Sequence, residues 1–467
     1  MADGDEQFDL LVVGAGPAGE KAAAQAAYFG HRVAVVDRLP DPGGAMVAGA
    51  VSTKTMREAA LYLTGFTRHH VYGVSLELAS EVLIDRLRAR EAEVTTLMTG
   101  AVRENLRRHH IEFVAGTARL GADRRLRVTP GCGGPVRVLV GDAVLLATGS
   151  RPYHPPGIPF DDPDVLDSDT ARALDRPLRN LVVVGGGAVA CEYASIFLAL
   201  GADVSLVDRG SRLLPFLDAQ LSAILADAFR TQGMRMFHET EVTRVDREAG
   251  ALVVETSGAD VIRPEKVIFA AGRTGETDEL GLREAGVALD ERGRILVDDH
   301  YETSVPSVFA AGDVIGPPAL ASVSMEQGRV AACYAMGIPF KQTVDPLTPF
   351  GVYTIPECAM VGLTEEAAAE RGIDHVVGLA WFKDNSRAAI AGSTEGALKL
   401  VVDRKDRTLL GVHMIGEGAT ELIHHGQAVI HFGGTIDYFI HSTFDVPTVS
   451  DLYKYAAYDC LQHLQDR

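Results

Sequence analysis

The chain has 467 residues, 47% hydrophobic and 23% charged, with a net charge of −19 at neutral pH. That length predicts two to four domains with substantial cores, and the acidic balance reads as solubilising surface charge that argues against a nucleic-acid partner. Apolar runs such as 10–13 and 181–184 are strand-length and too short to span a membrane; residues 1–7 are acidic and polar, unlike a secretory leader, so a cytoplasmic location is expected.

Residues 8–13 read as an apolar strand that runs into Gly14-Ala15-Gly16-Pro17-Ala18-Gly19. An alanine-rich helix over 20–29 follows, then a strand over 32–36 ending at Asp37. This is a βαβ unit with a G-x-G-x-x-G turn where a dinucleotide site requires it. Gly14 permits the tight turn, Gly16 lets backbone approach a pyrophosphate, and Gly19 lets the helix pack closely on the strand. Unpaired N–H groups and the helix dipole favour negative charge there. Asp37 can accept from both ribose hydroxyls, and Pro17, Ala18, Arg38, Gly44 and Thr148 join the candidate cofactor contacts.

After Gly43-Gly44-Ala45-Met46-Val47-Ala48-Gly49-Ala50-Val51-Ser52-Thr53-Lys54, a helix is expected to begin near Thr53. Residues 145–148 form a strand closing on Gly149, and the proline-rich run 150–159 favours an extended crossover. The pattern then recurs: a strand over 181–184, Gly185-Gly186-Gly187-Ala188-Val189-Ala190, a helix over 191–200, and a strand over 203–207 ending at Asp208. Both acids stand at the same distance past the first glycine of their turn. Two complete copies with terminal acids predict two dinucleotide sites, the second built on Gly185, Gly187, Ala188 and Val189.

Asp208 favours NAD(H), since it accepts from a ribose 2′-OH and repels a 2′-phosphate. Arg209 and Arg212 can pair with that phosphate, so NADP(H) is accommodated as well. A near copy of the 145–149 strand, Val267-Ile268-Phe269-Ala270-Ala271-Gly272-Arg273, ends the second unit. Val308-Phe309-Ala310-Ala311-Gly312-Asp313 and a helix through 335 follow. From about 343, strands over 398–402 and 409–414 mix with a helix over 420–431, an α+β pattern suited to a subunit interface. The expected fold class is therefore α/β: two Rossmann-like dinucleotide-binding domains plus a C-terminal α+β dimerisation domain. Residues 1–150 and 272–342 make the first nucleotide domain, 151–271 the second and 343–467 the interface.

The five cysteines, Cys132, Cys191, Cys333, Cys358 and Cys460, show no paired spacing, which suits inert thiols in a reducing compartment. The histidine pairs at 69–70, 109–110 and 424–425 match no ligand pattern, so no metal site is expected.

At these residues the chain resembles the two-dinucleotide-binding-domain flavoproteins of the pyridine nucleotide-disulfide oxidoreductase superfamily, which include dihydrolipoamide dehydrogenase and glutathione reductase. Within them it is most similar to the soluble, Si-specific NAD(P)+ transhydrogenase branch. The matching runs are Lys54-Thr55-Met56-Arg57-Glu58-Ala59, Cys191-Glu192-Tyr193-Ala194-Ser195-Ile196-Phe197, Arg212-Leu213-Leu214-Pro215-Phe216-Leu217-Asp218, Ile355-Pro356-Glu357, and Ile415-Gly416-Glu417-Gly418-Ala419-Thr420-Glu421-Leu422-Ile423-His424. The resemblance implies that Gly14, Gly16, Gly19 and Asp37 hold the adenosine half of FAD. It places Asp313 at the ribityl chain and the Leu320 and Ala321 backbone near the flavin ring, with Gly149 and Gly272-Arg273 closing the two domains. It further implies a homodimer, Lys54 beside flavin N5, and Glu192 as the carboxylate partner of that lysine. A desolvated cation there would favour negative charge building on the ring as hydride arrives, and the carboxylate would keep the lysine charged.

Two departures from the family pattern bear on the chemistry. The positions of the redox-active cysteines read Met46 and Ala50, neither of which forms a thiolate. That stretch is also one residue shorter, with Ser52-Thr53-Lys54 in place of Pro-Ser-Lys. The C-terminal His-Pro proton relay reads Val446-Pro447 within Phe444-Asp445-Val446-Pro447-Thr448-Val449-Ser450-Asp451, and a valine exchanges no proton. Loss of thiols and histidine together argues against disulfide reduction. The expected function is hydride transfer from NADPH to NAD+ through FAD, with Lys54 and Glu192 as catalytic residues. Two alternatives stay open: the same reductive half with a quinone or other small-molecule electron acceptor, and a non-catalytic nucleotide-binding flavoprotein.

Overall fold

Leu10, Leu11, Val12 and Val13 form an unbroken apolar run because their strand, Glu6–Val13, is covered on both faces. The structure, a computed structural model, describes residues 6–44, 46–65, 80–173 and 176–465. Ala45, the side chain of Met46 and the pair His69 and His70 lie outside the described residues. Within them the chain forms two compact units. One comprises Met1–Thr55, Ala89–Tyr153 and Arg273–Asp345; the other comprises Met56–Arg88, His154–Gly272 and Pro346–Arg467.

In the first unit, Leu10, Val12, Val33 and Val35 pack with the helix alanines Ala22 and Ala26. Their neighbours Leu11, Val13, Ala34 and Val36 pack on the opposite face with Val114, Leu126 and Val144. This alternation is that of a parallel sheet buried on both sides. The strand order is Glu112–Ala115, Val33–Asp37, Glu6–Val13, Arg137–Leu146, Leu126–Thr129, Thr117–Leu120, and Val308–Ala310 pairs in parallel with Arg137–Leu146. The first helix is Pro17–Tyr28, not 20–29. It begins inside the glycine turn, where a proline sacrifices no hydrogen bond and its φ is already helical. A Cβ on Gly328 of the helix Ala321–Ala335 would lie 2.1 Å from the Ala18 carbonyl oxygen, so these two helices touch backbone to backbone.

The helix expected near Thr53 begins at Ser52. A π-helical turn, Met46–Val51, runs directly into the helix Ser52–Thr64. The buried Ser52 hydroxyl donates to Glu91, which lies on a 29-residue helix, Ser80–Arg108, that has no counterpart among the expected elements.

The second unit repeats the parallel pattern. Its sheet runs Arg235–Phe237, Asp203–Val207, Asn180–Val184, Lys266–Phe269, Val165–Asp167, all parallel. Leu181, Val183, Val204 and Leu206 pack on the helices Ala188–Ala199 and Ala219–Thr231. Val182, Val207 and Phe269 face a three-stranded antiparallel sheet through Val245, Leu252 and Val254. The C-terminal part is a five-stranded antiparallel sheet, ordered Phe350–Val352, Cys358–Gly362, Leu409–Ile415, Ala397–Asp403, His375–Trp381. The observed helix Ala188–Ala199 replaces 191–200 for the reason given for Pro17–Tyr28: its first turn overlaps glycine-motif residues that read as loop.

Charge is buried where the helix Ala219–Thr231 meets the strand Ala397–Asp403. Asp218 caps that helix by accepting from the Gln220 N–H at 3.0 Å. Lys399 Nζ lies 2.9 Å from Asp218 Oδ2 and also donates to Glu365. Lys399 and Asp218 are fully buried. Burial alone would raise the Asp218 carboxyl, but the Lys399 ammonium and the Glu365 amide outweigh it and hold it below the usual range. Removing one partner of such a pair strands the other. Lys399→Met should therefore cost about 3–5 kcal/mol of stability, read as a lowered denaturant midpoint, and adding Asp218→Asn should recover part of the loss.

His413, also fully buried, donates from Nε2 to the Leu363 carbonyl at 2.8 Å. Burial pushes its pKa below the ordinary value, so the fold disfavours its protonated form. The unfolded chain takes up that proton near pH 6.5, and stability is lost as pH falls through that value. Half-buried His425 acts with the same sign. His413→Gln should flatten the decline in thermal midpoint measured between about pH 7.5 and 5.5.

Candidate functional site

The glycine turn of the first unit is made by backbone contact. A Cβ on Gly14 (φ +105°) would lie 2.3 Å from the Ala147 carbonyl oxygen, and one on Gly19 would lie 1.8 Å from the Gly14 carbonyl oxygen. Gly16 has open space where its side chain would be. It is the N-cap of Pro17–Tyr28, and no side chain caps that end, so its leading amides face outward as donors. Gly44 abuts this turn: a Cβ there would come 3.0 Å from the Gly16 Cα.

Asp37 closes the strand beside the turn. Its Oδ2 accepts from the Ala15 N–H at 2.7 Å and its Oδ1 from the Leu39 N–H at 2.9 Å. Burial nevertheless pushes its carboxyl up, against the pull of those amides and of Arg38. A carboxylate in that condition gains from further donors, which two ribose hydroxyls would supply. Asp37 lines a cleft together with Gly14, Arg38, Thr148 and Glu276. Thr148 Oγ1 donates to the Glu276 carbonyl at 2.8 Å, and the Glu276 N–H donates to the Gly149 carbonyl at 3.0 Å. Arg38 lies 3.5 Å from Glu276 Oε1.

Asp313 and Arg273 are brought together by a residue the sequence reading passed over. Ser150 Oγ donates to Asp313 Oδ2 at 3.0 Å and accepts from Arg273 Nε at 2.7 Å. Ser324 Oγ donates to Asp313 Oδ1 at 3.2 Å. Ser324 lies in the helix Ala321–Ala335, which no side chain caps at Leu320. Nothing local marks Ser150, because its bond to Asp313 links segments far apart in sequence.

In the second unit, Gly185 (φ +124°) would place a Cβ 2.7 Å from the Ala270 carbonyl oxygen. Gly187 is the extended, uncapped N-cap of Ala188–Ala199, with Ala188 and Val189 at the helix start. Gly186, an unspecified position in the motif, matters most: a Cβ there would fall 2.1 Å from Asp208 Oδ2. The strand-terminal carboxylate lies directly over the turn. Gly272 takes φ +117° at the end of its strand. Arg212 Nη2 donates to the Pro215 and Leu217 carbonyls at 2.9 and 3.3 Å and its Nη1 lies 3.4 Å from Glu366, so it braces its own loop.

Lys54 sits in the first turn of Ser52–Thr64 in the first unit, and its Nζ lies 3.4 Å from Thr53 Oγ1. Glu192, in the second unit, is buried on Ala188–Ala199 and accepts from the Tyr353 N–H at 2.9 Å. Two of the family-like runs meet in that unit: Arg57 donates from Nε to the Thr354 carbonyl at 3.1 Å and lies 3.2 Å from Glu357. Cys191, Cys333, Cys358 and Cys460 are buried, and burial pushes the thiols of Cys358 and Cys460 up to about 12.

Residues 8–328 match the pyridine nucleotide-disulphide oxidoreductase family, and residues 348–457 match its dimerisation domain. The chain belongs to this family. It is 39% identical over 460 residues to a soluble pyridine nucleotide transhydrogenase of Mycobacterium bovis, covering 98% of each chain. It is 37% identical over 465 residues to one of Ectopseudomonas mendocina, covering 98% of this chain and 99% of the other. Among solved structures it is similar to the Cu(II) complex of the HOCl-induced flavoprotein disulfide reductase RclA from Escherichia coli, with TM-score 0.87, 25% identity, and 97% and 99% of the two chains covered. LpdA from Mycobacterium tuberculosis gives TM-score 0.86 and 25% identity over 96% and 99%.

The family implies FAD and nicotinamide nucleotides, and the residues present suit both. The Gly16 helix end, the buried Asp37 and the cleft beside them fit the adenosine diphosphate half of FAD. The Gly187 helix end and Asp208 fit a nicotinamide nucleotide. Among the described residues no helix is long and apolar enough to cross a membrane. Gly186→Ala drives a methyl into the Asp208 carboxylate, an overpacking of about 1–3 kcal/mol. It should weaken nicotinamide nucleotide binding roughly ten-fold or more while leaving the FAD content of the purified protein unchanged.

Proposed function

We propose that this oxidoreductase is a soluble transhydrogenase, moving hydride from NADPH to NAD+ without a dithiol step. The observation that carries the reading is the pairing of two complete dinucleotide turns with thiol-free chemistry. Gly14 to Asp37 and Gly185 to Asp208 are both built to hold nucleotides, while Ala50 stands where a redox cysteine would. The similarity to soluble pyridine nucleotide transhydrogenases supports it. On this reading, residues 1–150 and 272–342 hold FAD, 151–271 bind the nicotinamide nucleotide, and 343–467 form the interface of a homodimer.

FAD supplies the two-electron chemistry when bound. The chain supplies the rest. Asp37 and the uncapped Gly16 helix end hold the adenosine and pyrophosphate. Asp313, fixed by Ser150 and Ser324, orients the ribityl hydroxyls. The leading amides of Ala321–Ala335 and the Lys54 ammonium offer positive charge to the electron-accepting end, and charge-directed donors of this kind dominate such catalysis. Glu192 keeps a buried carboxylate on the nucleotide domain, its orientation set by the Tyr353 amide.

Anaerobic NADPH with thio-NAD+ tests the proposal: the purified yellow protein should form thio-NADH catalytically. Lys54→Met should lower kcat about 100-fold or more with little loss of bound FAD. Flavin bleaching by NADPH without thio-NADH would assign a different acceptor, such as a quinone. No bleaching at all would leave a nucleotide-binding flavoprotein without this activity.

A further inference from the structure

A site that takes NADPH and NAD+ in turn must bind a ribose with and without a 2′-phosphate. The charges around Asp208 are arranged for that exchange, an inference that rests on the reading of Gly185 to Asp208 as the nicotinamide nucleotide site. Arg212 is committed to the Pro215 and Leu217 carbonyls and to Glu366. Arg209, next to Asp208 and 74% exposed, has a different companion: its Nη2 pairs with the Glu241 carboxylate.

Glu241 is delivered there by backbone. Its N–H donates to Ser257 Oγ at 2.9 Å, and its carbonyl accepts from the Ser257 N–H at 2.8 Å. The preceding residues run along the nucleotide loop, Thr240 N–H donating to the Asp208 carbonyl at 2.9 Å and Glu239 N–H to the Gly210 carbonyl at 3.0 Å. This ladder fixes the Glu241 main chain beside Arg209, while the ion pair itself joins two exposed side chains that can part.

We propose that Glu241 is a specificity-determining positioning residue: it holds Arg209 as a counter-ion, and a 2′-phosphate binds by taking its place. A 2′-hydroxyl needs no such exchange, because Asp208 accepts from it directly. A phosphate must break an ion pair and settle near two carboxylates, Asp208 and Glu241, which offsets much of what the guanidinium offers. The two nucleotides are thereby drawn toward similar affinity. For a single site that must release one before admitting the other, that balance prevents either from blocking turnover.

The test compares binding of 2′,5′-ADP and 5′-AMP to the FAD-loaded protein, so it needs no catalysis. Glu241 is half exposed, and Glu241→Gln should fold normally. It should tighten 2′,5′-ADP about two- to five-fold, the range an exposed ion pair can supply, and leave 5′-AMP unchanged. The gain should shrink at high salt and in an Arg209→Ala background. In steady state the KM for NADPH should fall while that for NADH and kcat with NADH stay constant. No change, or equal change for both ligands, overturns the role of Glu241. Failure of the parent protein to bind 5′-AMP at all would overturn the nucleotide reading, and this proposal with it, independently of any thio-NADH result.

Discussion

The first unit depends on one contact between main chains. The Gly19 Cα comes so near the Gly14 carbonyl that no Cβ would fit, and this draws the helix Pro17–Tyr28 onto the strand Glu6–Val13. Only with that approach do the uncapped amides at Gly16 stand at the sheet edge beside Asp37, where a diphosphate can meet the helix end and a ribose the acid. The same economy of side chains extends outward. Ala18 meets Gly328, and Gly312 takes φ +83° against Ala18 and Ser324, so Asp313 follows from the helix packing that the first turn makes possible. The second unit solves the problem more loosely. Ala190 replaces the third glycine, and the tight constraint passes to Gly186, which must stay bare for Asp208.

What the sequence reveals and what it hides divides along the range of the interactions. Both βαβ units, the two strand-terminal acids and the missing thiols are local patterns, and a chain reader can see them. Family membership was legible too, through short runs such as 54–59 and 355–357, although their meeting in Arg57 and Glu357 was not. Helix starts were read late at Pro17 and Ala188 because glycine-rich turns look like loop when the residues after them are already helical. The helix Ser80–Arg108 went unseen for a different reason. Its sequence is polar enough to resemble a solvated segment, with charged residues spread through most of its length. Ser150, Gly186 and the Asp218–Lys399 pair have no local signature, since each matters through a partner distant in sequence.

That buried pair also explains why the nucleotide loop is well placed. The segment from Asp208 to Asp218 is fixed at both ends. At its start the Asp208 N–H donates to the Phe237 carbonyl. At its end Asp218 is caught between the helix it caps and Lys399 of the C-terminal sheet. Between them Arg212 and Leu214 hold it, the latter donating to the Gly186 carbonyl at φ +46°. Burying Lys399 with Asp218 is a poor source of net stability, yet it sets the position of the loop that follows Asp208. The acids Glu365 and Glu366 lie on the short helix Glu365–Glu370 and serve both anchors, Lys399 and Arg212, so the C-terminal sheet acts on the nucleotide end through charge.

The chemistry then follows from what the protein has given up. A disulfide reductase needs a thiolate that attacks and a base that returns its proton. Here Ala50 and Val446 offer neither. Cys191, Cys358 and Cys460, buried with their thiols pushed up, are protonated at neutral pH and poor nucleophiles. With no thiol route, electrons that enter as hydride leave as hydride or pass to an acceptor that reaches the cofactor directly. The retention of a complete nucleotide turn, with Asp208 and Arg209 side by side and Glu241 dividing the claims on the arginine, favours the first route. A site built for one phosphorylated donor alone would have no use for two carboxylates beside its arginine, whereas a site that must let two nucleotides succeed each other does.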